Sequence, residues 1–423
     1  MRMILLASLV GLASMAAALD LQPTADLRVR QEVLDGVYHF APETDRDWVR
    51  VRTRLGLQAT GDRHALALRL ANEHRHYLTP DQDLDWDEVL IDRLAWRIAL
   101  GEGTDVTLGR QDIIWPGGFL VLEGHPLDGS RTIFHDGVRL RHHLGEAGSD
   151  GPRIDVAAVH NRRQAGLVLI DDQDRALTFG DETGLLARVD HDRWSHAFIL
   201  KHEDWPDDEP GVPRGDLTTW TFASRHVGAV HASVDLEAEL ALQYQHGDVR
   251  ETIPYPDDAP FGNGWALAGQ AFATVPFERA SIDLGGFFYS GARGDLRPFK
   301  APWGNWPKWS ELYIYTLLGE STPGRPHVAA WENVAAPRVQ IRRPLAGGLD
   351  GRVGATWLTA PAPEWASRGL LLEARLDAQL RPRLRAHLLF EWLDPGSFHD
   401  GRYGLAPLTD PVSFLRWEIS WSF

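Results

Sequence analysis

Ser413-Phe414-Leu415-Arg416-Trp417-Glu418-Ile419-Ser420-Trp421-Ser422-Phe423 closes the chain. Leu415, Trp417, Ile419, Trp421 and Phe423 alternate with Arg416, Glu418, Ser420 and Ser422. Successive side chains of a β-strand point to opposite faces, so this alternation puts the apolar residues on one face and the polar ones on the other. The last residues of a soluble domain tend to fray, whereas Trp and Phe side chains sharing one exposed face suit a membrane interface. The stretch predicts a wall strand of a transmembrane β-barrel; the competing reading is the edge strand of a soluble β-sandwich.

The start of the chain agrees with the barrel. Met1-Arg2-Met3 is a positive start, Ile4 to Leu12 an apolar run, and Ala16-Ala17-Ala18 a small-residue cleavage site, which together read as a signal peptide over 1–18. The mature barrel would be 19–423. No stretch is apolar for long enough to span a bilayer as a helix, so insertion must be as a barrel. The 423-residue chain has no cysteine, which excludes disulfides, thiol catalysis and cysteine metal sites. Its formal charge of −16 excludes the basic footprint of a nucleic-acid binder. A mean hydropathy of −0.27 fits a barrel whose lumen-facing residues dilute its apolar ones.

The same alternation recurs along the chain. Leu27, Val29 and Val33 oppose Asp26, Arg28, Arg30 and Glu32, while Val49, Val51, Thr53, Leu55 and Leu57 oppose Arg50, Arg52, Arg54 and Gln58. Leu66, Leu68 and Leu70 oppose Arg69 and Glu73; over 86–100, Leu94, Trp96, Ile98 and Leu100 oppose Arg93 and Arg97. Residues 106–111 follow, and Val138 and Leu140 then oppose Arg139 and Arg141. Further strands are expected at 153–162, 184–190, 194–203, 217–226, 230–246, 264–275, 279–291, 333–343, 350–359, 369–380, 384–394 and 413–423. A helix would repeat near every 3.6 residues, and these stretches do not. Trp309 to Tyr315 also alternates, but short and long connections stay in step only if it belongs to a long external loop over 292–332. That leaves an all-β, antiparallel up-and-down barrel of about 18 strands with short periplasmic turns and long extracellular loops. The loop 292–332, rich in Trp and Tyr, is long and apolar enough to fold inward as a constriction.

Placement of charge carries the functional reading. The inferred lumen face of the early strands holds Arg28, Arg30, Arg50, Arg52, Arg54, Arg69, Arg93, Arg97, Arg139 and Arg141, accompanied by Asp26, Glu32 and Glu73. Late strands that close beside the first add Arg338, Arg342, Arg352, Arg375, Arg385 and Arg416. Between the groups, Asp235, Glu237 and Glu239 form an acidic wall. A basic arc facing an acidic one sets a field across a wet lumen and concentrates anions near the arginines, whose planar forks suit carboxylates. Any single arginine could instead pair with a lumen carboxylate and stiffen the wall. Acidic residues cluster in loops (Asp81, Asp83, Asp85; Asp171, Asp172, Asp174; Asp207, Asp208, Glu209), for solvation or for divalent bridging to lipopolysaccharide.

Gly109-Arg110-Gln111, then Trp115-Pro116-Gly117-Gly118 and Asp136-Gly137-Val138-Arg139-Leu140, resemble the alginate-export family of outer-membrane barrels. Trp331-Glu332-Asn333-Val334 before a late strand is similar too. The resemblance implies an arginine-lined pore of about 18 strands passing an anionic uronate polymer, with Arg28, Arg30, Arg50, Arg52, Arg54, Arg93, Arg97, Arg110 and Arg139 in the lining. Between 369–380 and 384–394, where that family carries a long periplasmic plug, this chain has only Arg381-Pro382-Arg383. The departure points toward a more general anion or oligosaccharide porin.

His74-Arg75-His76 and His142-His143 lack the spacing of a metal site, and neither a Gly-x-Ser-x-Gly elbow nor a phosphate-binding Gly loop occurs. The sequence predicts a channel, not an enzyme, with no cofactor, in a bacterial outer membrane. Anionic saccharides such as alginate or uronates would pass its lumen; a small-anion diffusion porin is the alternative, and a secreted polysaccharide-binding β-protein or a barrel lipase the rivals. Expected partners are outer-membrane lipid, lipopolysaccharide, the anionic solute and the barrel-assembly machinery, which would recognise the strand ending at Phe423. A monomer is expected.

Overall fold

The computed structural model describes residues 19–36, 45–79, 86–122, 134–145, 151–164, 166–171, 180–205, 215–231, 233–248, 262–304, 309–312, 333–362, 364–399 and 410–423. The expected signal peptide (1–18) and the loop residues Asp81, Asp83, Asp85, Asp172, Asp174, Asp207, Asp208, Glu209, Trp331 and Glu332 lie outside them.

Strands appear where the alternation predicts. In chain order they are β1 (Asp20–Asp35), β2 (Arg46–Thr60), β3 (His64–Thr79), β4 (Trp86–Gly101), β5 (Thr104–Gln111), β6 (His135–His143), β7 (Arg153–Asn161) and β8 (Val168–Asp171). Then come β9 (Asp181–His191), β10 (Trp194–Trp205), β11 (Gly215–His231), β12 (Val234–Asp248), β13 (Gly262–Phe277) and β14 (Ala280–Tyr289). The last are β15 (Val334–Pro344), β16 (Leu349–Ala360), β17 (Ala366–Arg381), β18 (Leu384–Pro395) and β19 (Val412–Ser422). All but β8 form a closed 18-strand antiparallel barrel, each strand paired with the next, β7 passing directly to β9 and β19 closing on β1.

The closing seam explains why the terminal stretch is decisive. Leu27 lies opposite Trp421, Val29 opposite Ile419 and Val33 opposite Leu415, all on the outer face. On the inner face Arg30 faces Glu418 and Glu32 faces Arg416. A slip of one residue would turn arginines toward lipid, so the pattern admits one register. Around the wall the outward side chains are large and apolar, among them Leu55, Leu66, Leu68, Leu94, Trp96, Leu240, Leu242, Phe390 and Leu415, and all are exposed. Trp220, Tyr244 and Trp265 stand side by side in register on that face, with ring centroids 5.8 and 5.1 Å apart, as an interfacial aromatic girdle would.

The structure departs from the sequence reading at two places. The stretch 230–246 is not one strand, because β11 runs through His231 and β12 starts at Val234 after a tight turn. Trp309 to Leu312 are buried and lie outside the wall strands, as their assignment to a loop expects; 313–317 lie outside the described residues. The four-residue β8 was not foreseen: it pairs with β4 at Glu88–Leu90, above the level where β5 stops.

Candidate functional site

Alternation turns the polar side chains inward, and strand register then decides what each one meets. Across β19, β1, β2 and β3 the inward rows read Glu418–Arg30–Arg50–Arg75 and Arg416–Glu32–Trp48–Tyr77. Glu32 is the hub of this lattice. Its carboxylate lies 3.0 Å from Arg50 Nη1, 3.3 Å from Arg30 Nε and 3.5 Å from Arg416 Nη1, and accepts a 2.6 Å hydrogen bond from Trp48 Nε1. Arg52 pairs with Asp26 at 3.0 Å, Arg54 with Asp92 at 3.4 Å, and Arg69 with Asp92 and Asp112 at 2.7 and 3.2 Å. Arg28 lies 3.9 Å from Glu418.

These inward arginines therefore meet more carboxylates than Asp26, Glu32 and Glu73. Asp92 is brought inward by a register shift between β3 and β4, and Asp112 by the chain turning into the lumen after β5. Arg28, Arg30, Arg50, Arg52, Arg54 and Arg416 are also buried instead of lining open water. The late arginines are paired as well: Arg338 and Arg352 with Glu373 at 2.7 and 3.0 Å, Arg342 with Asp283 at 2.7 Å and Arg375 with Asp377 at 2.8 Å. Arg385 Nε donates to Gln379 Oε1 at 3.2 Å.

Arg110 is a correction. Thr107 and Gln111 line the inner cavity, so Arg110, one residue off that period, shares the opposite face of β5 with Val106 and Leu108. There it grips Asp136 through two bonds of 2.8 and 2.9 Å and lies 3.6 Å over the Phe134 ring. It is a wall clamp and not lumen lining. The acidic wall is partly offset: Asp235, Glu237 and Glu239 do face inward, but Arg225 on β11 pairs with Glu237 at 2.9 Å and lies 4.0 Å from Glu239.

Toward the short-turn end the lumen opens into a cavity of about 310 Å³, lined by Arg93, Arg97, Arg139, Arg141, Gln58 and Asp112 among others. Arg97 and Arg141 share a single carboxylate oxygen of Asp105, at 3.5 and 3.0 Å, and their side chains remain 55% and 44% exposed. Arg139 is held by Asp155 at 2.6 Å. Arg93 has no carboxylate partner among the described residues, and its Nε has no hydrogen-bond partner. Cationic groups with spare hydrogen-bonding capacity thus face water here.

Above the cavity two segments enter the lumen. Residues 112–122 bring in Ile113, Trp115, Phe119, Leu120 and Val121, all buried, and reach β11 and β12 at Gly117, whose φ of +83° suits glycine at that tip. Residues 290–304 bring in Phe299, Ala301 and Trp303. The segments join through a parallel bridge, Trp303 N donating to Leu120 O and Leu122 N to Trp303 O, both at 2.9 Å. On β10, Lys201 and Glu203 face this strap, and Lys300 pairs with Glu203 at 2.7 Å. Burial and then the neighbouring Lys201 hold the Lys300 ammonium below the usual lysine range, against the pull of Glu203. Farther on, Glu391 of β18 accepts from Ser310 Oγ, Glu311 N and Leu312 N at 3.1, 3.0 and 2.6 Å. Of the loop expected over 292–332, residues 298–304 and 309–312 lie inward, while 295–297 pair with Trp265 on β13. The 112–122 segment was missed, although its run of Trp, Phe, Leu and Val after a strand was a visible signal.

His74 and His76 flank the inward Arg75 and so face outward, and His142 bonds Thr104 Oγ1 at 2.8 Å. Among the described residues no group of His, Asp and Glu is arranged to hold a metal ion.

No protein-family model matches the chain, and no curated protein does. Solved structures match in fold. Acinetobacter baumannii OccAB1 is 10% identical with a TM-score of 0.60, covering 96% of each chain. Pseudomonas aeruginosa OccK2 (OpdF), solved in complex with glucuronate, is 12% identical with a TM-score of 0.56 and 96% coverage of each chain. Pseudomonas aeruginosa OpdK, solved with vanillate, is 12% identical with a TM-score of 0.54, covering 95% of this chain and 98% of its own. At such identities the likeness is of fold, and that fold is a bacterial outer-membrane barrel.

Proposed function

We propose that this barrel is a channel for small organic anions of uronate size. The observation that carries the reading is the arginine-lined cavity, where Arg97 and Arg141 divide one carboxylate between them and Arg93 has none. A solute carboxylate entering it would complete charge-assisted, fork-like contacts that the wall leaves open. Glucuronate and vanillate, each found with a barrel of similar fold, are carboxylates of the size this cavity admits. The sequence resemblance to alginate exporters supports a second version, passage of a uronate polymer. The two bridged segments inside the lumen favour the small anion over the polymer.

A signal peptide over 1–18, assembly through the strand ending at Phe423, contact with lipopolysaccharide, a monomeric state and the absence of catalysis complete the proposal. The test is reversal potential in a planar bilayer under a salt gradient, followed by glucuronate and then uronate oligomers. Anion preference that falls in Arg93→Ala/Arg97→Ala, with current reduced by the monomer, is the expected result. Block by oligomers alone would favour the polymer version. Cation preference in the native protein would overturn the reading.

A further inference from the structure

Gly184 sits on the inner face of β9, between Glu182 and Leu186. A Cβ placed there would lie 2.2 Å from Trp303 Cη2 and 2.9 Å from Cζ2, so the indole occupies the space a side chain would need. The ring is fully buried and held on every side. Its Nε1 donates to Glu182 Oε2 at 2.9 Å, Lys201 Nζ lies 5.0 Å from the ring centroid, and the His135 ring meets it edge-on at 5.5 Å. Lys201 ties the same spot down twice more, donating to Glu182 Oε1 at 2.8 Å and to Pro302 O at 2.6 Å.

That seat supports more than one side chain. Through its backbone, Trp303 is also the residue that bridges to Leu120 and Leu122, so fixing it fixes both inward segments. On the flanking wall Gln243 and Gln245 of β12 donate to Lys300 O and Pro298 O at 2.8 and 2.7 Å. Residues 309–312 are held on two further strands: Trp309 stacks on Phe287 of β14 with ring centroids 5.2 Å apart, and Glu391 of β18 accepts from Leu312 N. The seats on β9, β10 and β12 thus hold 298–303, and those on β14 and β18 hold 309–312.

We propose that Gly184 is a bore-determining position: the missing side chain lets Trp303 seat against the wall, and that seat sets how far residues 298–304 and the 112–122 segment obstruct the lumen. Solute size is then limited by packing at β9, separately from the charge preference of the arginine cavity. The glycine is required by the ring, since β9 is ordinary extended strand at this point and Gly184 has no positive φ.

The experiment measures single-channel conductance, and liposome swelling with uncharged sugars of increasing size, for Trp303→Ala, Gly184→Ala and the double variant. Only protein showing heat-modifiable migration is used, so that each sample is a folded barrel. Neutral sugars make the result independent of ion preference, and failure here leaves the anion proposal standing. Trp303→Ala is expected to raise conductance and to admit larger sugars, because the two bridged segments lose the seat that holds them in the lumen. Gly184→Ala should act in the same direction by unseating the ring, and the double variant should lie close to Trp303→Ala, because without the ring the added methyl meets only the Leu200 carbonyl oxygen, at 3.1 Å. Folded Trp303→Ala with native conductance and size limit would overturn the proposal. So would a Gly184→Ala effect that adds in full to that of Trp303→Ala.

Discussion

Replacing Glu32 with Gln removes one charge and almost no volume from the closing seam. Three guanidinium groups then lose the carboxylate that lies 3.0, 3.3 and 3.5 Å from them. At an effective dielectric near 20, each such contact is worth about 5 kcal/mol before desolvation. Desolvation cancels most of that, and deleting one partner of a buried pair costs about 3–5 kcal/mol in practice. Each arginine keeps a second carboxylate, Glu73 at 3.5 Å, Glu418 at 4.0 Å and Glu311 at 3.1 Å, which places the loss at the low end. A destabilisation of about 3 kcal/mol is therefore expected for E32Q. Urea unfolding from lipid vesicles, followed by Trp fluorescence, would show it as a lower midpoint at unchanged slope. Adding Arg50→Met should recover part of the loss by removing one of the stranded cations. A shift below about 1 kcal/mol would refute the view that this charge lattice, and not the outer apolar face alone, holds the seam.

Other perturbations test other levels. Leu240→Arg places a cation on the lipid face of β12 and should cost about 2–4 kcal/mol near mid-membrane, in the same unfolding assay. At Gly137 a Cβ would come within 2.1 Å of the Ala158 carbonyl oxygen. Gly137→Ala should therefore strain the β6–β7 ladder and lower stability by about 1–3 kcal/mol. Glu391→Ala removes the acceptor of Ser310 Oγ, Glu311 N and Leu312 N. Its open-channel current should become noisier than that of the native protein; equally quiet current would mean that residues 310–312 are held elsewhere.

The wall was legible because alternation is a local property. Arg50, Arg52 and Arg54 on one side of β2 and Leu55 and Leu57 on the other declare their faces within a few residues. Partnership was not legible, because it depends on register between strands far apart in sequence. Nothing near Arg54 announces Asp92, which a register shift in β3–β4 delivers. Arg110 was misplaced by position in a motif, although counting by twos from Thr107 puts it on the outer face. The lumen interior was hardest to foresee. Trp303 and Gly184 have no periodic relation, and a glycine in a strand looks the same whether or not a ring fills its hole.

The four residues of β8 carry a consequence for how this wall can vary. β4 is 16 residues long and β5 only 8, so the upper part of β4 rises beyond its neighbour's hydrogen-bonding reach. A buried backbone amide left without a partner costs about 1–3 kcal/mol. Ile91 N instead donates to Leu167 O at 3.0 Å, and Ile91 O accepts from Arg110 Nη1 at 2.9 Å. The connection after β7 thus completes the upper edge of β4 as well as serving as a loop. Insertions at 166–171 would unzip that pairing, so the length of this segment answers to the backbone of β4 and not to the solute.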